Sequence, residues 1–160
     1  AFEKQLQQWT YPVGSEDSTT ICEAFRKHGL IMLYRVCGRV STSHVQTTDY
    51  LGTDPTKEEI IRTYALQIIE ELLKTPITSA FCNMHTIPLL TAGSELTTHD
   101  AYWRDESISR FKAMYSRSRI PSSLVAIQVT QEVWSKRDQG VGYCQWFDII
   151  FEKGWRVKLS

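Results

Sequence analysis

An all-α fold, an antiparallel array of six to seven helices, is what this sequence predicts. Three observations carry that expectation. Apolar residues recur at three- and four-residue intervals along most of the chain, almost no segment shows the strict alternation of a half-buried strand, and helix start and stop signals fall between the periodic segments. With 160 residues, 42% of them hydrophobic, the chain suffices for one domain that buries a core without disulfides or metal.

The elements follow in order. After Gly14, the capping cluster Ser15-Glu16-Asp17-Ser18 opens a long helix whose apolar positions are Ile21, Ala24, Phe25, Leu30, Ile31, Leu33 and Tyr34. Gly29 inside it costs about 1 kcal/mol relative to Ala in an exposed helix, which marks a close approach by another element. Gly38 supplies the stop. Residues 39–53, rich in Ser and Thr, read as a mobile loop. Asp54-Pro55-Thr56-Lys57-Glu58 then gives an N-cap, Pro at the first helical position and acid in the first turn. The helix it opens carries Ile60, Ile61, Tyr64, Ala65, Ile68, Ile69, Leu72 and Leu73 on one side and stops before Pro76.

Thr78 or Ser79 caps a further helix running to Leu96, with Pro88 inside it. Proline there removes a hydrogen bond and clashes with the preceding turn, so a kink or break is expected near His85-Thr86. Asp100 starts a helix with Trp103, Ile108, Phe111 and Tyr115. Pro121-Ser122-Ser123 separates it from a helix over Leu124 to Ser135. The glycine-marked loop Gln139 to Gly142 leads to a last helix with Trp146, Phe147, Ile149, Ile150 and Phe151, ended by Gly154, after which 155–159 trail off extended.

Composition excludes several classes. Lys+Arg and Asp+Glu both number 18, so charge supplies no general pull toward nucleic acid or a membrane surface. No apolar run reaches the roughly 18 to 20 residues of a bilayer span, so no membrane partner is expected. The opening from Ala1 has neither a basic n-region nor an apolar h-region and reads as a piece of a longer chain. Cys22, Cys37, Cys82 and Cys144 are too widely scattered for a disulfide scaffold, and reduced thiols in an intracellular protein fit them better. Cys82 and His85 are the one close pair of metal-ligand types, and two ligands do not make a zinc site.

No Gly-rich phosphate loop, HExxH, Gly-x-Ser-x-Gly or calcium loop occurs, so no catalytic residue and no enzyme activity is expected. The acid pairs Glu58-Glu59 and Glu70-Glu71 fall on the charged side of their helix and read as solvated surface. Arg110, Lys112, Arg117 and Arg119 flank Phe111 and Tyr115, a pattern nucleic-acid binders use, yet the i, i+4 aromatic spacing is that of a core stripe. Two charges are less ordinary. Glu95 sits in an otherwise apolar helix and Arg35 ends the run Leu30-Ile31-Met32-Leu33-Tyr34, which calls for pairing, because a charge on a buried face is tolerated only when paired and hydrogen-bonded. Arg35, Arg104 and Arg110 are the candidate partners of Glu95 in a structural ion pair that fixes helix packing.

Three segments carry a resemblance. Cys22-Glu23-Ala24-Phe25-Arg26-Lys27-His28-Gly29-Leu30-Ile31-Met32-Leu33-Tyr34-Arg35, then Ile87-Pro88-Leu89-Leu90-Thr91-Ala92-Gly93-Ser94-Glu95, then Val133-Trp134-Ser135-Lys136-Arg137-Asp138 with Trp146-Phe147-Asp148 to Gly154-Trp155, resemble in order the regulatory domain of fungal zinc binuclear cluster transcription factors. Gly29 replaces a usual Ala, and Thr91 stands where that family is usually apolar. The resemblance implies an all-helical regulatory region, the C-terminal part of a larger one, with an effector-response or autoinhibitory role in the nucleus. It implies a possible homodimer or coregulator contact, and DNA contact only through a separate part; zinc belongs to that part, and no cofactor is expected in this chain. A helical scaffold for protein interaction without a small-molecule pocket is the alternative. For a small-molecule effector, His85 beside the Pro88 break, Gly93 as a point of close approach and Trp103 as an aromatic wall are the candidate ligand-binding residues.

Overall fold

The computed structural model describes residues 2–10, 14–37 and 57–155. Among them are seven α-helices, two short 3₁₀ turns and no strand: α1 (Phe2–Gln8), α2 (Glu16–Cys37), α3 (Lys57–Lys74), α4 (Thr86–Ser94), α5 (Ala101–Ser118), α6 (Ser122–Asp138) and α7 (Trp146–Lys153). The fold is all-α. The 3₁₀ turns, Cys82–His85 and Thr98–Asp100, immediately precede α4 and α5. The loop expected at 39–53, the stop at Gly38, the start signal at Asp54-Pro55-Thr56 and most of the C-terminal tail lie outside the described residues. No described helix is long and apolar enough to cross a membrane.

Periodicity explains the packing. Ile21, Ala24, Leu30, Ile31 and Tyr34 of α2 are buried against Ile61, Ala65, Ile68, Ile69 and Leu72 of α3 and the rest of the core. Lys27 falls on the same buried stripe at 5% exposure. It is tolerable there because its ammonium reaches Glu71 of α3 at 2.8 Å and Glu23 at 3.6 Å. Glu71 is thus an inter-helix tie rather than plain solvated surface.

At the centre is α4, in which eight of nine residues are buried, all but Ile87. It packs against α2, α3, α5, α6 and α7. Full enclosure explains why its sequence shows no amphipathic stripe.

Several boundaries differ from the sequence expectations. The segment expected as a helix from Thr78 or Ser79 to Leu96 is helical only from Cys82 to Ser94, and it is broken where expected, the 3₁₀ turn giving way to α4 at the His85–Thr86 junction, so Pro88 sits in the first turn of α4, where a missing N–H is harmless. Asp100 is the N-cap residue of α5, where the sequence placed the helix start, but its side chain does not cap that helix. Its carboxylate closes a capping box with Thr97, accepting the Thr97 N–H at 2.9 Å, and it also bonds Arg62. Burial raises its pKa, but the Arg62 and Thr97 hydrogen bonds prevail and hold it below the usual carboxylate value. In α6, Ser122 and Ser123 lie inside the helix and are buried, whereas the sequence placed them in a separator. Three residues also extend that helix past Ser135. Helix α1 has no counterpart in the sequence reading. It exists because Leu6 docks onto Gly29 of α2, where an added Cβ would lie 3.1 Å from the Leu6 side chain, and because Tyr34 donates to Glu3 and accepts from Gln7.

Candidate functional site

The chemistry-bearing side chains gather at the C-terminal end of α4. Glu95 is the C-cap residue, its N–H bonded to Ala92 O at 3.1 Å. Its side chain is only 6% exposed. Each carboxylate oxygen takes two donors. Oε1 accepts from Arg35 Nε at 3.2 Å and from the Tyr143 hydroxyl at 3.1 Å, while Oε2 accepts from Arg35 Nη2 and from Arg137 Nη2 at 3.2 Å. Four donors satisfy a buried carboxylate, the condition under which an interior charge is tolerable.

Arg35 comes from the last turn of α2 and Arg137 from the last turn of α6, positions where a cation also complements the helix dipole. Beyond Glu95, Arg35 places Nη1 at 2.6 Å and Nη2 at 2.9 Å from the two oxygens of Glu58, in the first turn of α3. Arg137 Nη1 donates to the Ser94 carbonyl. The Tyr143 ring meets both guanidiniums, Arg35 at 4.2 Å and Arg137 at 4.9 Å from its centroid. Burial works against the Arg35 charge, yet its hydrogen bonds to Glu58 and Glu95 outweigh that and raise its pKa. The Arg35 hydrogen bond in turn holds Glu58 below the usual carboxylate value, and burial followed by the Glu95 charge drives the Tyr143 phenol up.

Of the three arginines considered as partners of Glu95, Arg35 is the one that meets it. Arg104 instead forms a two-pronged pair with Asp138 at 2.7 and 2.9 Å, donates to the Leu96 carbonyl and lies 4.7 Å over the Trp134 ring. Arg110 turns to the opposite end of α4, donating to Thr75 O at 2.8 Å and to His85 Nδ1 at 3.3 Å, with Cys82 Sγ at 4.0 Å. Six positions separate the two on α5, which points them to different faces. Arg137 and Tyr143 escaped the sequence reading. Arg137 had a usable signal, being three residues after Trp134 in the last resemblance segment; Tyr143, alone in a glycine-flanked loop, had none.

His85, Gly93 and Trp103 are spread along α4 and α5 rather than gathered. His85 is fully buried before α4, with burial and then Arg110 lowering its pKa to about 4, against a small opposing pull from Asp17. Gly93 faces α5 and α6: a Cβ there would lie 3.6 Å from Thr130 and 3.9 Å from Ser107, ordinary contact distances. Its carbonyl accepts the Trp134 indole N–H at 2.8 Å. Trp103 is half-buried on α5, edge-on to Tyr102. The described clefts are elsewhere: one of about 610 Å³ between the start of α2 and the end of α3, and shallower ones of about 400 and 440 Å³ beside Thr98 and Phe151. None is lined by these three residues. Among the described residues no group of three metal-ligand side chains occurs, and Arg110 lies against both Cys82 and His85.

The three resemblance segments converge on α4. Arg35 and Arg137 meet at Glu95; Trp134 closes on Gly93; and Thr91 Oγ1 lies 2.9 Å from His28 Nδ1 and accepts the Trp146 indole N–H at 3.0 Å. The departure from an apolar residue at position 91 is thereby matched by two polar partners. Neither a curated protein nor a solved structure matches the chain. The sequence model described as the fungal specific transcription factor domain matches residues 2–160, and the chain therefore belongs to the fungal specific transcription factor domain family.

Proposed function

We propose that this chain is an effector-responsive regulatory module of a fungal transcription factor, acting in the nucleus and leaving DNA reading and zinc binding to a separate part of the protein. Family membership supports a role in transcription regulation. The observation that favours control through conformation is the Glu95 cluster: one buried carboxylate ties the ends of α2, α4 and α6 to the loop before α7, and Arg35 extends the tie to α3. Interactions concentrated at one junction give a ligand a place to bias the arrangement of several helices.

Thermal unfolding in the presence of a metabolite panel tests the reading. A ligand at 100 times its dissociation constant stabilises the folded state by about 2.7 kcal/mol. For a domain of this size that is a rise of roughly 5 to 10 °C. A panel spanning anionic, cationic and neutral metabolites that leaves the midpoint unmoved rejects effector response.

The second reading is an interaction scaffold, favoured by Val141 at 69% and Phe151 at 81% exposure beside the 440 Å³ groove. Sedimentation of the protein and of Phe151→Ser separates it: concentration-dependent association that the substitution abolishes supports a homodimer through this face, and monomers throughout reject that contact. In either reading the chain shows no preference between a specific and a scrambled duplex in a low-salt binding assay.

A further inference from the structure

We propose that the outer edge of Arg35 is a binding site for a small anion carrying a carboxylate or phosphate group, with Glu58 seated in it as an exchangeable internal occupant. The proposal rests on the effector-responsive reading and assigns the chemical class of the effector.

The two carboxylates on Arg35 are not equivalent. Glu95 is enclosed, 6% exposed, and has four donors. Glu58 is 66% exposed and held by Arg35 Nη1 at 2.6 Å and Nη2 at 2.9 Å. That parallel fork is the geometry by which arginine grips any planar carboxylate or a phosphate edge. Glu58 is the solvated partner of this pair and regains water on leaving it, so the exchange costs on the order of fivefold in equilibrium terms. Arg35 has no such freedom. Its side chain is 6% exposed, its Nε and Nη2 are fixed by Glu95, and the Tyr143 ring backs the guanidinium at 4.2 Å. Turning Glu58 away leaves a pre-oriented fork at the surface, and Arg137 and Lys57, whose charges act on Glu58, act equally on an anion in its place. Glu95 holds the inner edge of the same guanidinium, which leaves the outer edge as the place where a single anion seats.

The test is calorimetric titration of the full chain and of Glu58→Gln with inorganic phosphate and, separately, succinate, at ionic strength held constant with sodium chloride. Removing the internal competitor is expected to tighten binding of at least one anion about fivefold, and Arg35→Lys in the Glu58→Gln background to abolish it. Response to phosphate alone assigns a phosphate ligand; response to succinate alone assigns a carboxylate. Because Arg35→Lys touches a buried pair, Lys57→Gln serves as the second variant: it removes a charge that acts on the site without touching Glu95, and it is expected to weaken binding severalfold while circular dichroism is unchanged. Equal or absent binding by the wild type and Glu58→Gln for both anions overturns the site, as does binding that Arg35→Lys and Lys57→Gln both leave unchanged. A neutral or cationic effector in the metabolite screen overturns it too, while leaving effector response standing. Phosphate or succinate binding that raises the melting midpoint but leaves hydrogen exchange unchanged in every helix other than α3 overturns effector response and keeps the site.

Discussion

Arg35 and Arg110 are sunk into the described part of the molecule, one at each end of α4, and they are satisfied by different chemistry. At the C-terminal end Arg35 faces carboxylates, Glu95 inside and Glu58 outside. At the N-terminal end Arg110, 8% exposed, donates to a backbone carbonyl, an imidazole nitrogen and a thiol, all neutral. Burial lowers the pKa of Arg110 with only Cys82 opposing, whereas the carboxylates around Arg35 reverse the same penalty. A guanidinium stays charged in both settings, so the difference is passed to its neighbours. Glu95 is held by four donors from three residues. His85 is committed as a neutral ring: Arg110 has only donors, so Nδ1 accepts and Nε2 carries the proton. One end of α4 should therefore be sensitive to loss of a charge and the other to gain of one.

The sharpest break of that contrast is Glu95→Ala. It leaves Arg35 and Arg137 with unmet donors in a largely closed site, and the expected loss is about 3 kcal/mol, the low end of the usual range because Glu58 still engages Arg35. Urea denaturation measures it, and a loss below about 1 kcal/mol would reduce the cluster to a surface pair.

At the other end the probe is pH. With a native pKa near 4 against 6.5 for the free group, the unfolded chain binds the proton more readily than the native one. The His85 contribution is fully present above pH 6.5, declines as pH falls and is lost by about pH 4. That shift corresponds to about 3 kcal/mol. In His85→Gln the stability curve over this window should flatten by that amount; identical slopes for the two proteins would show that His85 is free to charge.

A smaller effect separates geometry from charge at the C-terminal end. Trp134→Phe keeps an aromatic ring but shrinks it and removes the indole donor to Gly93 O, which still accepts the Leu96 N–H at 3.2 Å, so the expected cost by thermal denaturation is about 1.5 kcal/mol. Gly93→Ala should change stability least. The neighbours of the added methyl stand at 3.6 Å or more, so the better helix propensity prevails and a gain of up to about 1 kcal/mol is expected. A loss above 1 kcal/mol would mean that α5 and α6 pack there more tightly than these distances indicate.

Which parts were legible in the sequence follows from how local their causes are. Helix α3 announced itself through Ile61, Ala65, Ile68 and Leu72, and α7 through its apolar run and Gly154, whose φ of 62° is the left-handed cap its position suggested. Helix α1 did not, because Leu6 becomes a packing residue only when Gly29 of another helix is opposite it. The capping box at Thr97 and Asp100 was hidden by the natural reading of Asp100 as a helix start. In the site, Arg35 and Glu95 stood out as charges on apolar helices. Ranking Arg35 over Arg104 and Arg110 depended on which helix ends meet, a matter of packing across 60 residues of chain that local patterns do not encode. Arg110 was the least legible, since arginine served by neutral acceptors leaves no complementary charge to search for.

The enclosure of α4 bears on how the molecule comes apart. An amide exchanges with solvent deuterium only when its helix opens, and α4 is walled by five other helices, so no local fluctuation frees it without disturbing its neighbours. Its amides should exchange only through global unfolding and report the full stability of the domain. Helix α1, with no buried residue, should lose its protection at a small fraction of that free energy. The central helix is thus the natural gauge of whole-domain unfolding, and α1 the first part to let go.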